Sequence, residues 1–157
     1  MLFRSVAFSP AGRWLATASE DKTARLWDVT APAAAPRILA GHAAEVLSVA
    51  FSPAGRWLAT ASGDNTARLW DVTAPAAAPR ILAGHAGFVT SVAFSPAGRW
   101  LATASWDNTA RLWTWRVEDL IALACATAGR NMSREEWQRY FADQPYRKTC
   151  EQWPEGK

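Results

Sequence analysis

LATASGDNTARLWDV, residues 58–72, decides the fold of this 157-residue chain, because the chain repeats it almost unchanged two more times. LATASEDKTARLWDV stands at 15–29 and LATASWDNTARLWTW at 101–115, so the repeat period is 43 residues. Repetition at a period of roughly 20–50 residues is the signature of architectures in which one small structural unit stacks on the next. The equivalent tryptophans of the three repeats are Trp27, Trp70 and Trp113.

Each full repeat predicts four short β-strands. Apolar and small residues alternate in VLSVAFSP (46–53), RWLATAS (56–62) and TARLWDV (66–72), and turn residues separate these runs. A proline-punctuated loop follows, and PRILAGH (79–85) supplies the fourth strand. The third repeat lacks its fourth strand, so we predict a mainly β fold of three sheets, the last of them three-stranded.

This pattern, with Gly-His ahead of the first strand and Trp-Asp closing the third, resembles the WD-repeat β-propeller family over residues 1 to about 115. In that family a polar network joins the Gly-His histidine, a Ser or Thr of the second strand, an Asp of the next turn and the Trp of the third strand. The first repeat here has no such histidine. The resemblance implies this network at Thr17, Asp21, Trp27, His42, Thr60, Asp64, Trp70, His85, Thr103, Asp107 and Trp113.

The same residue types admit a catalytic interpretation, because a histidine beside an aspartate is half of a hydrolase triad. We expect a structural role instead, since the pair recurs with the repeat and the sequence shows no nucleophile motif and no metal-ligand spacing. No catalytic residue, metal or cofactor is therefore expected.

The differences between repeats are few and clustered. Residues 5–47 and 48–90 differ at only five positions, and the third repeat departs from the second, as far as Trp113, only where Trp106 replaces Gly63. The changes flank the turn aspartate and follow the histidine, two regions expected at one end of a blade. In the resembled family that end is the top face, where partners bind. Drift at tolerant loop positions is the alternative. We predict these edited positions to bind a partner: Glu20, Glu45, Leu47, Gly63, Phe88, Thr90 and Trp106.

These features predict a non-enzymatic interaction scaffold that binds a protein or peptide, with Trp106 near Phe88 as its main anchor. Three repeats do not close a propeller, which typically has four to eight blades. Two copies of the chain could complete a six-bladed ring, three copies could give nine blades, or the sequence could be the remnant of a longer protein. A purely structural role is the alternative function, in which the chain completes a ring with copies of itself or with another chain.

After Trp115 the apolar spacing changes to a helical period. RVEDLIALACATAG predicts a helix that ends at Gly129, and Ser133 with Glu136 forms a capping box ahead of a second helix. We assign residues 1–115 to the repeats and 116–157 to this helical appendage. The second helix carries three aromatic residues, Trp137, Tyr140 and Phe141.

The appendage is similar to the ends of bacterial multidomain WD-repeat proteins, in which a propeller follows a signalling NTPase, kinase or caspase-like module. That similarity implies a signalling context. Two roles remain open for the helices. Their aromatic faces pack on the bare side of the third blade, or the helices form a docking clamp on the last blade or on an adjacent domain.

The net charge, the apolar stretches and the cysteines limit which further functions and locations are expected. The net charge of +3 is scattered without a basic run, which argues against nucleic-acid binding, and Arg25, Arg68 and Arg111 are expected to bridge blades instead. No apolar stretch is long enough to span a membrane, so no membrane partner is expected. Cys125 and Cys150 have no ligand spacing, so we expect free thiols and a cytoplasmic location.

Overall fold

The computed structural model describes residues 2–74, 76–140, 144–151 and 153–154. The chain divides into two compact units, the first ending at Trp113 and the second beginning at Thr114. The strands seen among the described residues are β1 (Phe3–Phe8), β2 (Trp14–Ser19), β3 (Ala24–Asp28), β4 (Arg37–Leu39), β5 (Val46–Phe51), β6 (Trp57–Ser62), β7 (Ala67–Asp71), β8 (Arg80–Leu82), β9 (Val89–Phe94), β10 (Trp100–Ser105) and β11 (Ala110–Thr114).

Each repeat folds as an antiparallel meander in which every strand pairs with the next. Sheet 1 has the order β1-β2-β3-β4, sheet 2 the order β5-β6-β7-β8, and sheet 3 contains β9, β10 and β11. The mainly β prediction and the three-stranded third sheet are confirmed. The fourth strand of sheet 2 is shorter than predicted, Arg80–Leu82, because Leu82 pairs with Ala67, the first residue of β7, and β7 offers no further partner beyond it.

Glycine and serine fix the first hairpin of each sheet. In sheet 2, Gly55 has a φ of 73° and its N–H donates to the carbonyl of Ser52 at 2.8 Å. The Ser52 hydroxyl accepts the N–H of Trp57 at 3.1 Å, which closes the turn between β5 and β6. This turn sets Val49 opposite Thr60, and Thr60 lies opposite Arg68 on β7. Thr60 therefore lies on β6 with a paired strand on either side of it.

The core lies between neighbouring sheets. Ala16 and Leu26 of sheet 1 belong to one apolar cluster with Val49 and Phe51 of β5. The small alanine side chain lets the next sheet approach closely, and the larger residues fill the space that is left. Because the repeats are copies, β9 lies against β5 and β6 in the same way, and its Val92 is buried.

The second unit contains α1 (Val117–Ala128) and α2 (Arg134–Tyr140). Gly129 ends α1 with a φ of 68° and donates its N–H to Cys125, as predicted. The capping box also forms, since Glu136 accepts the N–H of Ser133 at 2.8 Å and donates its own N–H to the Ser133 hydroxyl at 3.1 Å. The predicted helical residue Phe141 lies outside the described residues. Within the described residues, no helix is long and apolar enough to cross a membrane.

The prediction of two free thiols is wrong, because Cys125 and Cys150 form a disulfide with their Cα atoms 5.5 Å apart. The buried Asn131 explains how two distant cysteines meet. Its amide accepts the N–H of Cys150 at 2.8 Å and donates to the carbonyl of Trp153 at 2.9 Å, which folds the tail back onto α1. The expected cytoplasmic location rested partly on free thiols, and the disulfide removes that support.

Candidate functional site

A buried chain of hydrogen bonds crosses sheet 2. Nε1 of Trp70 donates to the hydroxyl of Thr60 at 3.0 Å, and this hydroxyl lies 2.7 Å from Nε2 of His42. Nδ1 of His42 lies 2.8 Å from Oδ2 of Asp64. The corresponding distances in sheet 3 are 2.8 Å for Trp113 to Thr103, 2.8 Å for Thr103 to His85 and 2.7 Å for His85 to Asp107.

The donors in this chain are fixed by elimination. The indole N–H of Trp70 can only donate and the ionised carboxylate of Asp64 can only accept, so Thr60 accepts from Trp70 and Nδ1 of His42 donates to Asp64. In the neutral imidazole the other nitrogen, Nε2, then accepts the hydrogen of Thr60. Burial lowers the pKa of His42 below its ordinary value, although the hydrogen bond to Asp64 opposes the shift. Every bond in the chain runs from the tryptophan towards the carboxylate.

Asp64 is ionised at the end of this chain. Burial raises its pKa, but hydrogen bonds from Thr66, from the N–H of Ala43 and from His42 outweigh burial and lower the pKa to about 2. The N–H of Ala43 lies 3.0 Å from Oδ2, and the hydroxyl of Thr66 donates to Oδ1 at 2.6 Å. Asp64 therefore ties together the connection that enters sheet 2 and the turn between β6 and β7.

The order Thr60, His42, Asp64 has the contacts of a catalytic triad. The nucleophile position is closed, however, since Thr60 is 0 % exposed and His42 is buried. The Thr60 hydroxyl also already accepts a hydrogen bond from Trp70. The Thr60 hydroxyl has no contact with solvent in the folded sheet, and we expect the arrangement to stabilise the fold.

Sheet 1 completes its network differently, because it has no histidine. Trp27 still donates to Thr17, at 3.1 Å. Nη2 of Arg25 lies 2.8 Å from Oδ2 of Asp21, whereas the equivalent pair of sheet 2, Arg68 and Asp64, is 3.8 Å apart. Arginine thus occupies the carboxylate oxygen that histidine takes in the other sheets. These contacts give Arg25 and Arg68 a role within their own sheets.

Gly41 makes room for the arginine in sheet 2. Its φ is 142°, and a Cβ built on it would lie 2.6 Å from Nη1 of Arg68. Gly84 repeats this arrangement with Arg111, where the distance is 2.7 Å. The glycine of each Gly-His pair is therefore required both by its backbone conformation and by the guanidinium group beside it.

The edited positions from the two separate regions meet in pairs. The N–H of Gly63 donates to the carbonyl of Glu45 at 3.0 Å, and the N–H of Trp106 donates to the carbonyl of Phe88 at 2.9 Å. Each pair joins the residue before the first strand of a sheet to the turn that follows its second strand. One local cluster per sheet therefore carries most of the differences between the repeats.

The side chains of these clusters differ in chemistry. In sheet 3, Phe88 and Trp106 stack with their ring centroids 5.1 Å apart and an interplanar angle of 17°, and Trp106 is 70 % exposed. In sheet 2, Gly63 is buried, and a Cβ built on it would lie 3.0 Å from the carboxyl carbon of Glu45. In sheet 1, Glu20 forms an exposed ion pair with Arg4. The remaining edited positions, Leu47 and Thr90, are half-buried.

The comparison of repeats missed two members of these clusters, Leu2 and Arg4. The carbonyl of Leu2 accepts the N–H of Glu20 at 3.2 Å, so Leu2 is the counterpart of Glu45 and Phe88. Arg4 is equivalent to Leu47 and Thr90 by the 43-residue period. Extending the alignment back to residue 2 would have found both.

In the part of the chain that the structure describes, no group of three or more His, Cys, Asp or Glu side chains is arranged to hold a metal ion.

The model of the family described as WD domain, G-beta repeat matches residues 3–28, 35–71 and 78–114. Among curated proteins, none matches the chain significantly. The three matched segments contain every strand of the three sheets and more than half of the chain, and the chain therefore belongs to the WD domain, G-beta repeat family.

Proposed function

We propose that the chain is a non-enzymatic scaffold that binds a protein or peptide partner through the edited ends of its sheets, with Phe88 and Trp106 as the main anchor. One observation carries this proposal. The most exposed tryptophan side chain among the described residues stacks on a second aromatic ring at a position where the other two sheets carry small or charged residues. Large aromatic side chains dominate the energetics of protein interfaces.

The cluster of sheet 3 has a rigid base. The backbone bond between Trp106 and Phe88 fixes the two ring-bearing residues, and the buried His85–Asp107 pair closes the turn that carries Trp106. A ring held in this way loses little conformational entropy on binding. Random drift would change the Ala- and Pro-rich loops as readily as these positions, because both tolerate substitution. Those loops are identical between repeats, so drift alone does not explain the differences.

The three clusters together offer a partner different chemistry at each sheet. Sheet 1 presents the Arg4–Glu20 ion pair, sheet 2 the carboxylate of Glu45, and sheet 3 the aromatic stack. A partner that spans them therefore needs an apolar side chain for sheet 3 and a cationic side chain for Glu45. The similarity of the second unit to the ends of bacterial signalling proteins makes a signalling protein the partner class that we propose.

The experiment is a selection of displayed random peptides on the full chain, followed by affinity measurement with a labelled selected peptide. The decisive variant carries Phe88→Glu, Thr90→Leu and Trp106→Gly, which give these positions of sheet 3 the residues of sheet 2; Gly87 is kept, because a Cβ there would lie 2.8 Å from the backbone nitrogen of Asp107. Sheet 2 already folds with these residues at the equivalent positions, so a loss of affinity would report a loss of partner contacts and not a loss of folding. We expect at least a tenfold loss, about 1.4 kcal/mol.

Ile38→Ser is the matched control, since it removes another exposed apolar side chain from the outer strand β4, away from the edited positions. It should leave the affinity unchanged. Equal binding by the sheet 3 variant and the wild type, or failure to select any peptide, would contradict the proposal.

A further inference from the structure

The end of the sheets opposite the edited positions carries a repeated cluster of arginine and tryptophan. In sheet 1, Trp14 begins β2 and lies opposite Asp28, the last residue of β3, while Arg37 begins β4. Because neighbouring strands are antiparallel, these three residues lie at one end of the sheet, and Glu20 follows β2 at the other end. The counterparts in sheet 2 are Trp57, Asp71 and Arg80.

Two guanidinium groups lie over each of these tryptophan rings. In sheet 1 the Cζ atoms of Arg13 and Arg37 are 5.0 and 4.5 Å from the ring centroid of Trp14. An aromatic face attracts a guanidinium group, and the N–H groups at the edge of a stacked guanidinium can still bind a carboxylate. In sheet 2 the same contacts join Trp57 to Arg56 at 5.5 Å and to Arg80 at 4.8 Å. We call the surface of these residues the arginine end: Arg13, Trp14, Arg37, Arg56, Trp57 and Arg80.

The two arginines of sheet 1 differ in their polar contacts. Nε and Nη2 of Arg13 donate to Oδ2 of Asp28 at 3.2 and 3.0 Å, which makes an ion pair. Arg37 is exposed, lies over the ring of Trp14, and donates from Nη1 to the carbonyl oxygen of Val72 at 3.4 Å. Neither of these contacts neutralises the positive charge of Arg37.

Charge is distributed unequally between the two ends of sheets 1 and 2. At the arginine end, the described residues of these sheets include four arginines and only two aspartates, Asp28 and Asp71. At the edited end, the described residues include four cationic side chains and four carboxylates, namely Arg4, Lys22, Arg25, Arg68, Glu20, Asp21, Glu45 and Asp64. The net positive charge of the two sheets is therefore concentrated at the arginine end.

The clusters of sheets 1 and 2 adjoin each other. Besides the bond from Arg37 to sheet 2, the turns that precede β2 and β6 are in contact, since a Cβ built on Gly55 would lie 3.4 Å from Cδ of Pro10. The side chains of Arg13 and Arg56 are both 60 % exposed. Sheet 2 lies between sheets 1 and 3, so the exposure of Arg56 belongs to the end of the sheet and does not depend on an open sheet face.

We propose that the arginine end of sheets 1 and 2 binds an acidic segment of a partner protein, with Arg37 as the main carboxylate-binding group. A guanidinium group can donate two parallel hydrogen bonds to one carboxylate. The contact with Trp14 holds Arg37 in place before binding, which lowers the entropy lost on binding. Peptide carboxylates fit this surface better than nucleic-acid phosphates, because Asp28 and Asp71 lie within it and repel a ligand whose negative charges are closely and regularly spaced.

The test is fluorescence anisotropy of a labelled oligoglutamate peptide that is titrated with the full chain at moderate ionic strength. Oligoglutamine of the same length and an oligodeoxythymidine are the comparison probes. We expect saturable binding of oligoglutamate, weaker binding of oligodeoxythymidine and no binding of oligoglutamine. Arg37→Gln should weaken the binding of oligoglutamate by roughly tenfold or more, because the carboxylate loses a charged hydrogen-bond donor. Arg37→Lys keeps the charge but not the planar pair of donors, so its affinity should lie between those of the wild type and Arg37→Gln.

Lys22→Gln is the matched control, because it removes one exposed positive charge from the edited end and gives the protein the same net charge as Arg37→Gln. It should leave the affinity for oligoglutamate unchanged. Circular dichroism of the three variants should keep the β-sheet spectrum of the wild type, since both substituted side chains are exposed. Equal losses in Lys22→Gln and Arg37→Gln, an unchanged affinity of Arg37→Gln, or tighter binding of oligodeoxythymidine than of oligoglutamate would overturn the proposal.

Discussion

The hydroxyl of Thr60 lies 2.7 Å from Nε2 of His42, and neither residue is open to solvent. Because Thr60 also accepts from Trp70, one hydroxyl satisfies two buried nitrogen atoms. Thr60→Val keeps the shape of the side chain and leaves both nitrogen atoms unpaired. We expect the free energy of unfolding in urea to fall by roughly 2–6 kcal/mol, at about 1–3 kcal/mol for each unpaired group.

Thr73→Val is the control for this change, because the Thr73 hydroxyl bonds Asp71 at an exposed turn. It should cost no more than about 0.5–1 kcal/mol. Similar losses in the two variants would show that the buried network does not stabilise sheet 2.

Acid should destabilise the protein in two ranges of pH. The folded state lowers the pKa of His42 below 6.5, so its contribution to stability is complete above pH 6.5 and is lost as the pH falls. The folded state lowers the pKa of Asp64 from 3.8 to about 2, so that contribution is lost between pH 3.8 and about 2. Urea unfolding at a series of pH values measures both steps. His42→Gln should flatten the upper range and retain the lower one; an unchanged slope below pH 6.5 would contradict the assignment.

Lys22 holds an unfavourable backbone conformation for its type. Its φ is 69°, and the equivalent residues Asn65 and Asn108 have φ values of 66° and 65°. Asparagine tolerates this left-handed region better than lysine. Lys22→Asn should therefore stabilise the protein by about 0.5–1 kcal/mol, visible as a higher melting temperature. Asn65→Lys should have the opposite sign, and a common sign for both would contradict this explanation.

Glu45 and Gly63 should behave as a coupled pair. A Cβ on Gly63 would lie 3.0 Å from the Glu45 carboxyl group, so Gly63→Trp alone should destabilise sheet 2 by the small cost of displacing this flexible side chain. Adding Glu45→Phe recreates the aromatic stack of sheet 3 and should recover part of the loss. A double-mutant cycle should give a coupling of about 0.5–3 kcal/mol. As a control, the changes in the free energy of unfolding caused by Gly63→Trp and Ile81→Ser should add to within about 0.5 kcal/mol. If the changes for Gly63→Trp and Glu45→Phe add equally well, the two residues are not coupled.

Reduction of the Cys125–Cys150 bond should loosen the second unit selectively. A disulfide that closes a loop of this size typically contributes about 2–4 kcal/mol, chiefly by restricting the unfolded chain. Hydrogen exchange with and without reductant should show faster exchange in peptides from residues 117–154. Peptides from sheets 1 to 3 serve as the internal control and should be unchanged. Unaltered protection of the second unit would show that Asn131 alone holds the tail.

The repeats could be predicted well because their pattern is written three times. Alternation in RWLATAS predicted the strand Trp57–Ser62, and the resemblance to the WD-repeat family implied the network of His42, Asp64 and Trp70 whose hydrogen bonds the structure contains. The second unit occurs once, and its decisive contacts are distant in sequence. Nothing near Cys125 reveals that Asn131 returns Cys150 to it, since no local periodicity records a contact between residues that far apart.

The copied scaffold also poses a problem for folding. Residues 5–19, 48–62 and 91–105 carry the same fifteen letters, and they form the first hairpin of each sheet. Side chains therefore do not determine which third strand a hairpin pairs with. A hairpin that pairs with the third strand of another repeat would make the same strand pairs as in the native sheet. Only the length of the connecting loops distinguishes the correct arrangement from a swapped one. Repeat proteins with such similar neighbours are prone to misassembly between units. We therefore expect fast closure between neighbouring strands to select the native connectivity in this chain.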